Sequence, residues 1–496
     1  MDDVRRFTEV QSQLADMWPS MTMRTMDSQQ RTIVVVSSMS MWVPPQLTPV
    51  FPAYEERYLF LVLSLLRAPR TEVVYVTSQP VLPRLVDYFL ELMPRLTADD
   101  VRRRLTLISV GDSSARPLTA KILERPRILE RLRTLTAGDR HSIILPFNVS
   151  PLEVELAIRI GVPVYGADPS LAALGTKTGS RQVFAAAGVA SPPGCEGVHS
   201  ADDVVDAVRD LRAQGNDLRE AVLKLDEGVG GFGNATLTIP AGDDRLAIAE
   251  AVQRLRPEDP ELGAEEFLAL LDKQGGIVEE RITGAEFASP SVQLRGSPLG
   301  QVEVLSTHDQ VLGGATGQTF LGCRFPAAPG YSAAVAGLGS RIGAELAARG
   351  VIGRFGIDFV VCRESNADWR AYAIEINLRN GGTTHPMLTL QALTDAEYDP
   401  DAGRLVAGSR SKHYLATDHL ESPAYAALTP DDLLDIATER GLGWDEESMT
   451  GVAFHMVSAI AVAGRVGVTA IGDSPDQADQ LYGRVRAALD EESQRA

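Results

Sequence analysis

The first third of the chain alternates short apolar runs with segments whose apolar residues recur at helical spacing. The apolar runs are rich in β-branched residues and lie at 31–38, 71–78, 105–111, 142–148 and 161–167. A helix-like segment at 53–68 separates the first two runs. Continuous apolar strands that alternate with helices are typical of a parallel sheet covered on both faces. We therefore predict a doubly wound α/β domain over residues 1–168.

The pattern changes to a mixed α+β type after residue 168. An amphipathic helix is predicted to end at Gly188, and the breaker SPPG (191–194) follows it. The next segments are a helix at 201–213, a strand at 221–226, a glycine-rich loop, a strand at 235–240 and a helix at 243–256. This order predicts a compact small domain over residues 169–274.

Strand patterns dominate the region 275–400, and the tail is mixed. Strand-like runs recur from 276 to 378, which predicts a large sheet subdomain over 275–400. The tail at 401–496 holds two predicted helices, at 430–440 and 475–491, and an apolar segment at 451–471. We treat this tail as a C-terminal extension.

The loop inside AVLKLDEGVGGFGNATLTI (221–239) has the spacing Gly228-x-Gly230-x-x-Gly233, with Gly231 between. That spacing is a weak signal alone, because a dinucleotide site needs a helix directly after the glycines. Here the alternating segment NATLTI predicts a strand, so the loop is a hairpin whose N–H groups can cover phosphates. Composition alone favours a plain tight turn by about two to one. Lys224 shifts that balance, since a lysine in an apolar strand needs an anionic partner.

The segment AIEINLRNGG (373–382) places polar side chains on an apolar strand. Glu375 and Asn377 share one face because side chains alternate in a strand. Asp358 has a comparable place in GIDFVV (356–361). If the two strands are neighbours, the three side chains form an oxygen cluster that suits Mg²⁺ or Mn²⁺.

The residues after this strand extend the same chemistry. Arg379 lies close enough in sequence to neutralise charge on a transferred phosphoryl group. Gly381 and Gly382 let the backbone approach a ligand closely. A single acidic residue on a strand is more often exposed than a ligand, by about ten to one, but this combination is harder to dismiss. For His385 a loop hydrogen bond and a substrate contact remain equally open.

Composition and charge exclude several classes of protein. The chain has 496 residues and a net charge of −19, which argues against a protein whose main task is binding nucleic acid. Its three cysteines form no CxxC, so we expect no disulfide or zinc framework. We expect no membrane span and no signal peptide, and therefore a cytoplasmic location.

Taken together, the motifs resemble those of ATP-grasp enzymes over about residues 30–390. The motifs, in chain order, are Lys177, Lys224 with its glycine loop, VEERITGAEF (278–287), Asp358 and EINLRNGG (375–382). The segments EINLRNGGTTHP (375–386) and AIGDSP (470–475) resemble segments of the pheganomycin-type peptide ligases. The resemblance implies an ATP-grasp fold behind an N-terminal parallel-sheet domain.

The resemblance also implies residue roles around ATP and its metal. Two lysines, Lys177 and Lys224, would hold the α- and β-phosphates under the glycine loop. In the hinge, which includes Glu280, Glu279 would accept from the adenine amino group, the backbone of Arg281 and Ile282 would meet the ring, and Glu286 would bind the ribose. Asp358, Glu375 and Asn377 would hold two Mg²⁺ ions. Arg379, Gly381 and Gly382 would serve the reacting groups.

The implied activity is that of an ATP-dependent ligase that joins a carboxylic acid to an amine through an acyl phosphate. The amine would be an amino acid or a peptide, and the family suggests a homodimer. One alternative keeps the fold and changes the reaction, to a small-molecule kinase or a carboxylase. Another is a non-catalytic nucleotide-binding regulator. The identity of the acid and the amine stays open.

Overall fold

The computed structural model describes residues 2–21, 30–43, 45–93, 96–138, 141–215, 218–228, 231–314, 317–365 and 367–495. Across these residues the strands form four sheets, with four, nine, three and five strands. The mixed α/β multidomain fold agrees with the predicted class.

The N-terminal part forms the predicted parallel sheet. Its strands are β1 (Arg31–Val36), β2 (Thr71–Thr77), β3 (Leu105–Ser109) and β4 (Ile143–Pro146), in the order β3-β2-β1-β4. The helices of this part are α1 (Asp2–Gln11), α2 (Gln13–Met21), α3 (Phe51–Glu56), α4 (Leu59–Leu65), α5 (Pro83–Glu91), α6 (Ala98–Arg104), α7 (Leu118–Leu123), α8 (Pro126–Thr136) and α9 (Pro151–Ile160). All pairings in the sheet are parallel.

Both faces of this sheet are buried, which explains why its strands are apolar throughout. In β1, Ile33 and Val35 pack into one hydrophobic core, and Val34 and Val36 pack into another on the opposite face. Successive side chains of a strand point to opposite faces, so a sheet between two layers needs an unbroken apolar run.

Two predicted elements of this part differ from the structure. The run at 161–167 forms only an isolated bridge between Ile144 and Val164, because Pro163 has no N–H with which to extend a ladder. The helix predicted at 53–68 is interrupted between α3 and α4. At this interruption Arg57 turns toward a partner far along the chain, Asp418.

The small domain is an antiparallel sheet covered by helices. Its strands are β5 (Gly194–Val198), β6 (Glu220–Leu225), β7 (Asn234–Thr238), β8 (Arg256–Pro257) and β9 (Gly276–Glu280), in the order β5-β9-β6-β7-β8. Its helices are α10 (Lys177–Ala186), α11 (Ala201–Ala213), α12 (Arg245–Val252) and α13 (Ala264–Gln274). Strand β9 lies beyond residue 274 and pairs with β6, while the domain boundaries themselves stay proposals.

The large sheet carries the predicted polar strands. Its first strands are β10 (Glu286–Ala288), β11 (Pro290–Gly296), β12 (Val302–Gly313), β13 (Thr319–Phe325), β14 (Gly353–Arg363) and β15 (Arg370–Asn377). Helices α14 (Ser332–Ala348) and α15 (Thr384–Thr394) accompany them. Strand β13 and helix α14 were not predicted from the sequence.

The C-terminal extension continues the same sheet. Its elements are β16 (Tyr398–Asp399), β17 (Arg404–Ala407), β18 (Arg410–Ser411), β19 (His413–Glu421), α16 (Pro430–Glu439), β20 (Gly451–His455), α17 (Ala459–Ala463), β21 (Arg465–Gly472) and α18 (Pro475–Ser493). The sheet runs from β13 through β19 and β21 to β20. The apolar segment 451–471 is thus strand, short helix and strand. Within the described ranges, no helix combines the length and apolarity needed to cross a membrane.

The two ends of the chain share one hydrophobic core. Leu433, Phe454 and Val485 of the extension pack in the same cluster as Ile33 and Tyr75 of the parallel sheet. Each of these five side chains is buried. The extension is therefore part of the body of the molecule and closes one face of the N-terminal sheet.

We predict that Gly179→Ala destabilises the protein, because a methyl group at this position in α10 would overlap the carbonyl oxygen of Ala173. Overpacking against backbone costs about 1–3 kcal/mol. The matched control is Gly337→Ala in α14, where no described atom lies within 4 Å of the added methyl group. The control should be neutral or more stable by up to about 1 kcal/mol. Urea unfolding of both variants measures the difference, and equal midpoints would contradict the prediction.

Candidate active site

A cavity of about 420 Å³ is lined by residues from all four parts of the chain. Strands β14 and β15 form its floor, and the glycine hairpin between β6 and β7 lies on one side. The N-terminal domain contributes the segment after β1, and the extension contributes residues of β19. Binding sites commonly lie at such junctions between domains.

The predicted carboxylate cluster is assembled by the pairing of β14 with β15. Asp358 lies directly opposite Glu375, and Gly356 lies opposite Asn377. A bulge follows Asp358, where β14 and β15 lose one residue of register. The condition on which the sequence argument depended, that the two strands are neighbours, is confirmed.

The electrostatics of this cluster favour a cation. Burial raises the pKa of Asp358, and the charge of Glu375 raises it further. The amide nitrogen of Asn377 donates to Asp358 at 3.2 Å. Burial lowers the pKa of Arg379, while Glu375 and Asp358 act to raise it. Two carboxylates and an amide oxygen form a hard donor set, so the residues present fit Mg²⁺.

Lys177 is bound to this cluster from the small domain. It is the first residue of α10, and its Nζ lies 2.9 Å from a carboxylate oxygen of Glu375. The N-cap residue Thr176 accepts a hydrogen bond from the Gly179 N–H, which fixes the start of the helix. Ser180, three residues after Lys177 along the helix, accepts a hydrogen bond from the Ile376 N–H at 3.1 Å and holds the helix on β15.

Lys224 has a protein carboxylate as its partner. Its Nζ forms an ion pair with Glu279, and both side chains are buried. Arg181 also approaches Glu279, at 3.4 Å. The predicted anionic partner of Lys224 exists, and it is the residue predicted to meet the adenine amino group. The nucleotide roles of both residues stay predictions.

The hinge segment after β9 is split between the cavity and the surface. Glu280, Arg281 and Ile282 line the cavity. Glu286 is not among its described lining residues and instead forms a two-bond ion pair with Arg363, both at 2.8 Å. The structure therefore brings the predicted adenine segment to the site and places the predicted ribose ligand outside it.

The glycine loop forms the predicted hairpin. Gly228 and Gly233 pack backbone against backbone, since a methyl group on Gly228 would lie 3.1 Å from the Gly233 Cα. Gly231 lines the cavity with φ of 93° and is closely packed on the carbonyl group of Gln318. Gly230 lies outside the described residues. Neither Gly228 nor Gly233 is among the described residues that line the cavity.

The double glycine after β15 lines the cavity as predicted. Gly381 donates its N–H to the Thr384 hydroxyl at 2.9 Å, so that group is already engaged. A methyl group on Gly382 would collide with the ring of Phe320. The need for glycine at 382 therefore comes from this close packing.

One wall of the cavity was missed by the sequence analysis. Tyr54, Arg57, Asp418 and His419 line it, and Arg57 forms a buried ion pair with Asp418 at 2.5 Å. A signal existed in the run Glu-Glu-Arg at 55–57, three consecutive charged residues inside an apolar segment. All three are buried.

His385 belongs to a buried network behind this wall. Its Nε2 lies 3.0 Å from the Nε2 of His455, which lies 2.7 Å from Asp418 Oδ1. Burial lowers the pKa of His385 well below its usual value. Burial raises the pKa of the Asp418 carboxyl, but Arg57 and the two histidines together hold it well below its usual range. Two roles were left open for His385, a loop hydrogen bond and a substrate contact. It lies in helix α15 and bonds His455, so it is not a loop residue.

Two family models match parts of the chain. The model described as "IQCH-like, ATP-grasp" covers residues 263–399, which includes the oxygen cluster. The model described as "PGM1 C-terminal domain" covers residues 432–485, in the extension. The two matches follow the division of the chain at the end of the large subdomain.

Similarity to whole proteins extends over most of the chain. The chain is 34% identical over 437 residues to an L-propargylglycine–L-glutamate ligase of Streptantibioticus cattleyicolor, and the alignment covers 86% of each protein. It is 24% identical over 414 residues to IQ motif-containing protein H of Danio rerio, covering 74% of this chain and 38% of that protein. The chain belongs to the ATP-grasp ligases, and the predicted kinship with pheganomycin-type peptide ligases is confirmed.

Solved structures support the fold. A biotin carboxylase–β,γ-ATP complex from Campylobacter jejuni aligns with a TM-score of 0.54 at 14% identity, covering 92% of this chain and 90% of that one. An N5-carboxyaminoimidazole ribonucleotide synthetase bound to ADP aligns with a TM-score of 0.51 at 12% identity, covering 93% and 97%. At such identities these likenesses establish the fold alone.

We predict that Lys224→Met weakens binding of Mg-ATP about 10- to 100-fold, because a charge-assisted bond to phosphate contributes about 1.5–3 kcal/mol. Glu279 keeps Arg181 as a neighbour, so the fold should persist. Calorimetric titration with a non-hydrolysable ATP analogue measures the affinity. Lys273→Met, an exposed lysine of α13, is the control and should bind as the wild type does. An unchanged affinity in Lys224→Met would reject the phosphate role.

Proposed function

We propose that this protein is an ATP-dependent ligase that joins a carboxylic acid to an amine, releasing ADP and phosphate. The observation that carries the proposal is the pairing of Asp358 with Glu375 on the floor of a cavity lined by all four parts of the chain. The L-propargylglycine–L-glutamate ligase, which aligns with this chain over 86% of its own length, supports the same chemistry. The solved structures that align with this chain include a carboxylase, but at 14% identity that similarity supports only the fold.

In this proposal the nucleotide lies between the glycine hairpin and β14–β15. Lys177 and Lys224 hold the α- and β-phosphates, and both are already oriented by carboxylates. The backbone of Arg281 and Ile282 meets the adenine ring from the cavity side. Glu286 can take the ribose hydroxyls only if it leaves Arg363.

Asp358, Glu375 and Asn377 would hold Mg²⁺ or Mn²⁺ beside the phosphates. A bound divalent ion would shield the negative charge of the γ-phosphate from the carboxylate of the acid substrate. Lys177 then has two tasks, since it neutralises Glu375 when the site is empty and is available to phosphate when the metal takes that carboxylate.

The reaction needs two displacements. An oxygen of the substrate carboxylate attacks the γ-phosphorus, the bond to the β-phosphate oxygen breaks, and ADP leaves. The amine then attacks the acyl carbon, loses a proton, and phosphate leaves with its electron pair. Arg379 lies next to the two carboxylates, where its fixed positive charge stabilises the charge that spreads over the phosphoryl oxygens.

The remaining parts of the chain fit this scheme as predictions. The boundaries at 168, 274 and 400 describe an N-terminal, a small, a large and a C-terminal unit. A homodimer, a cytoplasmic location and the absence of nucleic-acid partners follow from the sequence analysis and await measurement.

We predict that ADP release requires both an acid and an amine. A kinase would release ADP with one acceptor alone, so the comparison separates the two reaction types. Coupled-enzyme measurement of ADP over a grid of acids, amino acids and dipeptides, with mass spectrometry of products, provides the test. ADP release with a single substrate and no condensed product would refute the ligase proposal.

We predict that Glu375→Ala combined with Asn377→Ala lowers turnover at least 100-fold. The double variant removes two of the three oxygen donors, and removing a charge-stabilising group of this kind costs about 2.7–4 kcal/mol. Glu303→Ala is the control, because it removes an exposed carboxylate of the same sheet. Retained turnover in the double variant would reject the metal assignment.

A further inference from the structure

The cavity has a second charged region, distinct from the oxygen cluster, in the wall formed by Tyr54, Arg57, Asp418 and His419. Arg57 is 5% exposed and lies 4.9 Å from the centre of the Tyr54 ring. Within the described part of the chain, its Nε atom has no hydrogen-bond partner. A buried guanidinium N–H without a partner can donate a hydrogen bond to an oxygen atom of a ligand at the cavity wall.

The charge of this wall is positive on balance. Arg57 bonds Asp418 through the carboxylate, and Arg465 bonds the backbone carbonyl oxygen of the same residue. Two guanidiniums therefore lie at Asp418, and only that of Arg57 is paired with its carboxylate. Glu421 lies 3.8 Å from Arg465 and is 55% exposed, so solvent screens it. Glu56, next to Arg57 in the chain, is buried, accepts from the Ser458 N–H at 3.2 Å, and has its pKa raised by burial, which favours its neutral form. The excess positive charge favours an anionic ligand group.

The wall continues into an apolar surface. Met39, Tyr54 and Phe147 are buried in one cluster, and the partly buried Met41 and Leu47 pack against it. All five residues also line the cavity. A ligand that fits both features carries an anionic group and an apolar side chain close to it.

We propose that Arg57 binds the carboxylate of the amine substrate, and that this substrate is an α-amino acid with an apolar side chain. The inference rests on the ligase function proposed above. The reacting carboxylate of the acid must lie at Asp358 and Glu375, beside the γ-phosphate. Arg57 is therefore left for a carboxylate that does not react, and an amino acid that attacks through its amine has one.

The position of Arg379 connects the two regions. Its guanidinium lies 6.0 Å from the centre of the Phe147 ring in the apolar part of the cavity, while Glu375 and Asp358 act to raise its pKa and Arg57 acts to lower it. An amino acid bound at Arg57 carries its amine on the carbon next to the carboxylate. In this proposal the amine points toward Arg379 and the reacting centre, and the side chain lies against Met39 and Phe147, which line the same cavity.

His385 and His455 act as positioning residues for this wall. Their Nε2 atoms and Asp418 Oδ1 lie within 3.5 Å of one another, an arrangement that also resembles a metal triad. Arg57 holds the other carboxylate oxygen, and Arg465 lies alongside, so two guanidiniums would repel a divalent cation. We therefore assign the histidines to fixing the orientation of Asp418, and through it Arg57.

The test is binding of amino acids to the full chain with Mg²⁺ and a non-hydrolysable ATP analogue. The probes are alanine, valine, leucine, methionine and phenylalanine in their L-forms, with the carboxamide of each. At least one should bind, detected by saturation-transfer NMR, and its carboxamide should bind at least tenfold more weakly. Aspartate and lysine should not bind. Equal affinity for acid and carboxamide, or no binding of any apolar amino acid, would overturn the proposal.

Two variants connect the binding to Arg57. Arg57→Gln should raise the Kd of the amino acid at least tenfold and leave that of the ATP analogue unchanged. Because an unpaired Asp418 can unfold the site, Arg57→Gln with Asp418→Asn removes both charges and should show the same loss. Arg84→Gln is the control, since that arginine also pairs an N-terminal helix with the extension, at Asp435, but on the surface. Unchanged amino-acid affinity in both Arg57 variants would overturn the proposal.

Turnover and metal content distinguish the remaining outcomes. Asp418→Asn should raise the KM for the amino acid more than it lowers kcat and should leave the KM for ATP unchanged. If amino acids bind through Arg57 but no acid ever triggers ADP release, the ligase function fails and the binding site stands. If turnover requires both an acid and an amine but is unchanged in the Arg57 variants, the amino-acid site is rejected and the ligase function stands. One equivalent of bound zinc in the wild type, lost in His455→Gln, would overturn the role given to the histidines.

Discussion

Placing two carboxylates side by side in a sheet costs free energy unless positive charge is brought to them. Asp358 and Glu375 are forced together by strand register, so the rest of the site has to supply that charge. Lys177 comes from the small domain and Arg379 from the turn after β15. This need is one reason for the small domain to pack against the large sheet at the cavity. The same unfavourable pairing is what makes the site receptive to a divalent cation.

The opposite wall solves the reverse problem, a buried cation that needs a carboxylate. Arg57 and Asp418 are 361 residues apart in the chain, yet they form one of the most buried ion pairs of the described structure. Replacing such a pair by apolar residues is often neutral for stability, so stability alone does not explain why this ion pair is buried here. An orientation held for a ligand is such a reason. In the proposed function, the two walls separate the site into a region for phosphate chemistry and a region for recognition of the amine substrate.

Local periodicity was sufficient where a strand or helix buries a regular face. It located β14, β15, the glycine hairpin and the helix that carries Lys177. It failed where a contact depends on a distant segment. The pairing of Arg57 with Asp418 has no local signature. The family resemblance that implied a ribose role for Glu286 could not reveal its pairing with Arg363. The run at 161–167 was predicted as a strand because it is a short apolar run rich in β-branched residues, and Pro163 within it has no N–H with which to extend a ladder.

The core shared by the parallel sheet and the extension bears on how the molecule is made. A ribosome releases the N-terminal sheet long before Phe454 or Val485 exists, so one apolar face of that sheet has no cover while most of the chain is synthesised. Such exposed surface invites aggregation of nascent chains. The C-terminal extension therefore completes the core of the N-terminal domain. Its loss through a premature stop codon would destabilise the N-terminal sheet as well as remove the extension.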